Sequence, residues 1–290
     1  MQKPEKDDVI CGVITEDTIS QVVDCLERGF PHRPRQYWVT ALEQMSKLPI
    51  IEEYPRYGYA LEARGQVVGV LLTIYSRREG VDCNYVCCNL SSWCVDTQYR
   101  GGALILHMAA VKRNEVTYLN ISPARHTRAT IEALGFRRFT SGQIFCVPIL
   151  SHRHNALVRA FAPGSLESTL LPKSECKILT EHAAFGNVSL VCVKDGTAYP
   201  FVFQYRNVMR HIRCSHLIYC RRMDDFLRFA GPVGRYLLLR SGPFCIVDTT
   251  GPVDGLVGRY FAERNPKYFK GPTPPRPGDL SYTELAVFGS

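Results

Sequence analysis

The sequence has no apolar run long enough to cross a bilayer. Its longest, Val67 to Tyr75, is interrupted by Gly69 and Thr73 and falls far short of the ~20 residues a membrane helix needs. Among twelve cysteines there is no Cys-x-x-Cys pair, so the usual spacing of a structural zinc site is missing and no metal is expected. The opening residues Met-Gln-Lys-Pro-Glu-Lys-Asp-Asp are too polar for a secretory signal, and no lipidation motif is present. The expectation is a cytoplasmic protein without a membrane partner. Cys83, Cys87, Cys88 and Cys94 sit in one strand-like run, and Cys146, Cys192 and Cys245 in others. Adjacent Cys87 and Cys88 would point to opposite faces of a strand, so they read as reduced core thiols rather than joint ligands.

What is present is ordinary globular material: 290 residues, 46% apolar, 11% aromatic and 21% charged. That length favours two domains of similar size. The net charge of +8 is uneven, with +1 in residues 1–150 and +7 in residues 151–290. The second half could attract an anionic substrate, an acidic partner or nucleic acid, and it reads equally well as a solvated basic surface.

Periodicity predicts a strand at Val9–Ile14 and an amphipathic helix from Asp17-Thr18 through Leu26. A second helix is expected over Arg35–Lys47, then a hairpin of Tyr57–Ala63 and Gln66–Tyr75 around Arg64-Gly65. A central strand over Asn84–Val95 leads to a helix at Gly102–Arg113, a strand at Thr117–Ser122 and a helix at Thr127–Leu134 ended by Gly135. Phe136–Phe139 and Gln143–Val147 read as a closing pair of strands. The result is an α/β mixture with a mixed sheet, not a doubly wound parallel fold.

After a loop-rich stretch, His152–Pro172, the pattern restarts. A helix is expected at Glu175–Phe185, a hairpin at Ser189–Val193 and Tyr199–Arg206, and strands at His216–Cys220 and Pro243–Asp248. Further helices are predicted around Met223–Phe229, Val233–Leu239 and Val253–Glu263, with a last strand at Tyr282–Phe288. Offsets of 127 to 139 residues relate the hairpin turns at Gly65 and Gly196, the strands at Leu119 and Ile246, and the closing strands at Gln143 and Tyr282. The element order suggests a duplication.

The informative segment is Cys94-Val95-Asp96-Thr97-Gln98-Tyr99-Arg100-Gly101-Gly102-Ala103, where a strand enters a small-residue turn that opens a helix. Such a turn aims backbone N–H groups at one point, where the helix dipole also favours negative charge. Gly101 and Gly102 would let the backbone approach a phosphate and adopt angles a larger residue resists, and Arg100 adds a cation. A diphosphate is the natural occupant.

Val95–Ala103 resembles the acyl-CoA-binding signature of the GNAT N-acetyltransferase superfamily, Gln/Arg-x-x-Gly-x-Gly/Ala, through Gln98, Gly101 and Ala103. Leu134-Gly135-Phe136 resembles the Leu-Gly-Phe signature ending that fold's last helix, and the element order agrees. The resemblance covers roughly residues 9–149. It implies acyl-CoA, typically acetyl-CoA, as co-substrate. Its pantetheine arm would pair with the backbone of Trp93 and Val95 as a false strand in a parting whose other lip is Thr117–Ser122. Its pyrophosphate would lie on Gln98, Tyr99, Arg100, Gly101, Gly102 and Ala103. Family chemistry is direct attack by an amine or hydroxyl on the thioester.

The chain also departs from that pattern. Ile131 stands where many members place a Tyr acid, Ala124 where an Asn is frequent, and no Glu lies within Asn84–Val95. Asp96, His107 and His126 are the nearest titratable groups, and each has a plain structural reading, so the catalytic residues are left open. The second half lacks a phosphate turn. Gly231-Pro232-Val233-Gly234 comes closest, but Pro232 removes an N–H. Residues 1–150 are therefore expected to bind acyl-CoA, 151–175 to link, and 176–290 to be a degenerate GNAT-like copy that shapes an acceptor site or serves structure. Arg206, Arg210, Arg213, Arg221 and Arg222 could wall an anionic acceptor. A non-catalytic acyl-CoA-binding scaffold is the alternative. A nucleic-acid module is a distant one, because Tyr199, Phe201, Phe203 and Tyr205 alternate as a sheet core would.

Overall fold

The computed structural model describes residues 9–79, 84–151, 154–208 and 212–289. The opening octapeptide, Cys83, His152 and Arg210 lie outside the described residues. The chain divides into two compact units. Unit 1 comprises residues 1–120 with 270–273, and unit 2 comprises 121–269 with 274–290. By this division residues 121–150, grouped above with the first domain, belong with the second unit.

Unit 1 begins with β1 (Ile10–Val13), α1 (Ile19–Gly29) and α2 (Arg35–Ser46), followed by β2 (Gly58–Ala63), β3 (Gln66–Glu79) and β4 (Asn84–Val95). It ends with α3 (Ala103–Ala110) and β5 (Thr117–Asn120). Its strands lie in the order β1-β2-β3-β4-β5. The β2–β3 hairpin turns on Arg64 and Gly65, both at positive φ (52° and 72°), the conformation that matches strand twist. α1 buries Val22, Val23, Cys25 and Leu26, and α2 buries Trp38, Ala41, Leu42 and Met45, each a helical stripe.

Unit 2 contains α4 (Arg128–Ala133), β6 (Arg137–Cys146), β7 (Leu157–Ala160), α5 (Lys173–Ala184), β8 (Val188–Lys194), β9 (Thr197–Val208) and β10 (Ile212–Cys220). It continues with α6 (Met223–Ser241), β11 (Phe244–Thr249), β12 (Gly258–Lys270) and α7 (Glu284–Val287). Its strand order is β12-β6-β11-β10-β9-β8-β7. The hairpin turn of β8–β9 repeats the first: Asp195 and Gly196 have φ of 51° and 73°. Phe201, Phe203, Leu217, Val247 and Cys245 on the sheet meet Phe226, Phe229, Val233 and Leu237 of α6 in one core. The alternating aromatics of β9 are thus core, with Phe201 and Phe203 fully buried.

Several elements differ from the sequence reading. The closing pair of strands is one strand, β6. The helices expected on either side of Gly231 are a single α6 running through Pro232. There Gly234 is needed for packing, since a Cβ would stand 2.3 Å from the Ile149 nitrogen. Val253–Glu263 is not a helix: Gly258–Ala262 pairs with Cys146–Gly142 of β6, so the ladder overrides local preference. Tyr282–Phe288 is not a strand. Tyr282 takes a positive φ of 52° and Thr283 caps the short α7. The third offset of the repeat therefore fails, while the other two stand. The stretch read as linker contains β7, paired with β8 from Leu157↔Val193 to Ala160↔Leu190.

Candidate functional site

The site is built on β4. On one side this strand pairs antiparallel with β3 over its whole length. On the other it pairs parallel with β5 only at Cys87↔Thr117, Cys88↔Tyr118 and Asn89↔Leu119. Past Asn89 the ladder ends. Among the described residues no strand of unit 1 pairs with that edge from Leu90 to Val95.

A β-bulge falls in this free stretch. Ser91 pairs with Leu72 and Cys94 with Val70, so Ser92 and Trp93 together oppose Leu71. Ser92 takes a φ of 54°, uncommon for a residue with a Cβ, and its hydroxyl lies 3.0 Å from that of Ser91. The Trp93 ring lies 5.3 Å from that of His107 on α3, while Cys94 meets Gly29 of α1. The two neighbours thus face opposite sides of the sheet.

The turn after β4 is wound tighter than expected. Thr97–Gly102 is a 3-10 segment and α3 starts at Ala103. The Asp96 N–H donates to the Val68 carbonyl (2.8 Å), the Tyr99 N–H to Asp96 (2.9 Å) and the Ala103 N–H to Arg100. Thr97 and Gln98 occupy the first positions of the segment, where N–H groups fall outside the internal ladder. Both are exposed, as are the Arg100 side chain and Gly101.

Neither glycine has a positive φ, so the backbone-angle argument for them is corrected. Gly102 has φ −79°, and its small size answers to Leu61, whose Cδ1 would stand 3.0 Å from a Cβ. A Cβ at Gly101 would meet nothing within 4 Å, which leaves the surface open there. Beyond the turn, the outer face of α3 presents Leu104, Ile105 and Met108, all about half exposed or more.

Of the titratable candidates, Asp96 supports the turn. Its carboxylate accepts from Arg28 Nη2 at 2.9 Å and Nε at 3.3 Å, and Arg28 also donates to the Val67 carbonyl (3.1 Å). His107 is 2% exposed, and burial, with Lys270 adding to it, pushes its imidazole down to about 4. It is a neutral packing residue under Trp93. His126 lies exposed in a short 3-10 turn, and Ile131 is fully buried.

Sequence reasoning missed the bulge at Ser92, because a serine at positive φ leaves no signal of its own. It also missed a buried polar network in unit 2. There the Asp248 carboxylate accepts from His216 Nε2 (2.7 Å), Lys267 Nζ (2.8 Å) and Gln143 Nε2 (2.9 Å). Burial alone would raise the Asp248 carboxyl, but Lys267 and His216 outweigh it and hold it below the usual range. The described members of the proposed basic wall have separate surroundings. Arg221 is held bidentately by Glu175 (2.6 and 2.7 Å), Arg206 lies 3.4 Å from His216 Nδ1, and Arg213 and Arg222 are exposed.

No family model and no curated protein matches the chain. Solved structures do. A GCN5-related N-acetyltransferase from Anabaena variabilis superposes with a TM-score of 0.61 at 8% identity, covering 90% of this chain and 72% of that one. One from Kribbella flavida gives 0.55 at 13% identity, with 92% and 72% covered. The glucosamine N-acetyltransferase region of a fungal multi-domain GH3 β-N-acetylglucosaminidase gives 0.58 at 11%, with 92% and 38% covered. The fold is that of the GNAT N-acetyltransferases, a mixed α/β sheet of the kind expected.

Proposed function

We propose that the chain is an acyl-CoA-dependent acyltransferase whose coenzyme site is the free edge of β4 and the turn that follows it. The carrying observation is the early end of the β4–β5 ladder, which leaves a bulged strand edge leading directly to an open, glycine-containing helix entrance. An extended arm bearing amides can pair with such an edge at Trp93 and Val95. The helix entrance, with the Thr97 and Gln98 amides and the Arg100 guanidinium, favours paired phosphoryl groups. Leu104, Ile105 and Met108 beside it offer apolar surface for a bound molecule to cover. In this reading Gln98 to Ala103 hold the pyrophosphate and the Ser92–Trp93 bulge turns backbone N–H groups toward the thioester.

The chemistry is attack by an amine or hydroxyl acceptor on the thioester carbon. A tetrahedral oxyanion forms and collapses with loss of the coenzyme thiolate. The chain contributes proximity and backbone donors. With Ile131 buried and no Glu on β4, the acceptor's proton leaves through water or the Ser91–Ser92 hydroxyl pair. The same two observations favour a second reading, acyl-CoA binding without turnover. In either reading unit 2 is a copy that binds no coenzyme.

Calorimetric titration of coenzyme A and acetyl-CoA tests the site. The wild type is expected to bind in the micromolar range, about −8 kcal/mol, and an Arg100→Glu, Gly101→Glu variant to lose at least about 100-fold. Equal affinity in both proteins refutes the assignment. Thiol release across amine and hydroxyl acceptor panels separates the two readings.

A further inference from the structure

The two units repeat one arrangement in register. The parallel ladder Cys214↔Phe244 to His216↔Ile246 lies, residue for residue, 127 positions after Cys87↔Thr117 to Asn89↔Leu119. β10 also carries a register shift just past its ladder, between Leu217 and Tyr219, as β4 does between Ser91 and Cys94. By that offset Cys220 is the counterpart of Trp93.

The edge of β10 past its ladder is not free. The Cys220 N–H donates to the Gly278 carbonyl (2.9 Å), and the Leu280 N–H donates to the Ile218 carbonyl (2.8 Å). Tyr219 and Asp279 form the antiparallel bridge between them. Gly278 has φ +79° and lies so close that a Cβ would stand 2.5 Å from Cys220 Sγ and 3.0 Å from Met223 Sδ at the start of α6. The segment is tied down on both sides. Asp279 pairs with Arg276 (3.1 Å) and accepts from the Ser281 hydroxyl (2.6 Å), Leu280 is buried, and the Tyr282 N–H donates to His182 Nε2 (3.1 Å).

We infer that residues 276–282 are a built-in strap that occupies the parting of unit 2 as an extended amide chain, in the place where unit 1 leaves its strand edge for a ligand. The parting in this fold thus takes one extended chain carrying a carbonyl acceptor and an N–H donor. Unit 2 fills it with its own peptide, so β10 cannot receive a second coenzyme arm. The consequence that the chain loads a single coenzyme rests on the function proposed above; the strap itself does not.

The test uses the full chain. Hydrogen exchange without coenzyme is expected to show slow Cys220 and Leu280 amides. Both should accelerate together in Gly278→Val, where Cys220 also becomes labelled by iodoacetamide. Asp279→Ala, which keeps the fold's core, is expected to speed both amides by about 10-fold while the amides of β8 stay unchanged. Fast exchange at these amides in the wild type, or independent responses in the Asp279 variant, overturns the strap. Calorimetry then counts coenzyme A. One equivalent bound by the wild type and none by Arg100→Glu, Gly101→Glu is the expected pair. Two equivalents, with one surviving in that variant, contradict a closed second parting. No binding at all removes the function proposal and leaves the exchange result to decide the strap.

Discussion

After its parallel ladder, β4 runs on through a bulge and a six-residue turn, Thr97–Gly102, before α3 begins. After the corresponding ladder, β10 reaches α6 within three residues of Cys220, and Arg222 enters the helix from extended backbone. One unit spends residues on an open turn with an exposed arginine. The other pairs its arginine internally, Arg221 with Glu175, and covers its strand edge with Gly278–Leu280. The same ladder geometry leads to two different surroundings. The difference lies in what happens to backbone donors and acceptors that a splayed parallel pair cannot satisfy.

The contrast extends to buried charge. Unit 2 is built around the Asp248–His216–Lys267 network, whereas the ion pair near the unit 1 turn, Arg28–Asp96, is half exposed on its arginine side. Lys267→Met leaves a buried carboxylate short of its cation and is expected to cost about 3–5 kcal/mol, read as a drop in the urea midpoint. A change below about 1 kcal/mol would show that the network does not hold unit 2 together.

Next in size is a pH effect in unit 1. A His107 imidazole held near 4 when folded, against about 6.5 in an unfolded chain, refuses a proton that the unfolded state accepts. Stability is therefore full above about 6.5, falls as pH drops from there to about 4, and levels below, by on the order of 3 kcal/mol. His216 in unit 2, also held down by burial, acts in the same direction. Thermal midpoints across that window should decline less steeply in His107→Gln than in the wild type. Parallel curves would assign the slope to His216 or the carboxylates.

The smallest effects separate the adjacent glycines. Gly102→Val presses on Leu61 and is expected to cost about 1–3 kcal/mol of stability. Gly101→Ala, with open space around its Cβ, should stay within about 0.5 kcal/mol of the wild type. If the two lower the midpoint equally, Gly101 is packed as closely as Gly102.

Much of this was legible in the residues. Periodicity placed α1, α2, both hairpins and β4, because amphipathic stripes and paired turn residues are local signals. The small-residue turn that opens α3 was visible as Gln98-Tyr99-Arg100-Gly101-Gly102-Ala103. What was hidden depends on distant partners. The first residues of β12, Gly258 to Glu263, looked helical until β6 supplied a ladder. α6 looked broken at Pro232 because nothing local reveals that Gly234 must fit against Ile149. The strap at Gly278–Leu280 carries no strand pattern, since three residues bonded to β10 need no periodicity of their own.

Backbone amide spectra recorded during a coenzyme A titration bear most directly on the open edge of β4. Trp93, Val95 and the Thr97–Ala103 amides are expected to shift together, while Cys220 and Leu280 remain still. Shifts confined to other residues, or movement of Cys220 and Leu280 with the first additions, would contradict that expectation.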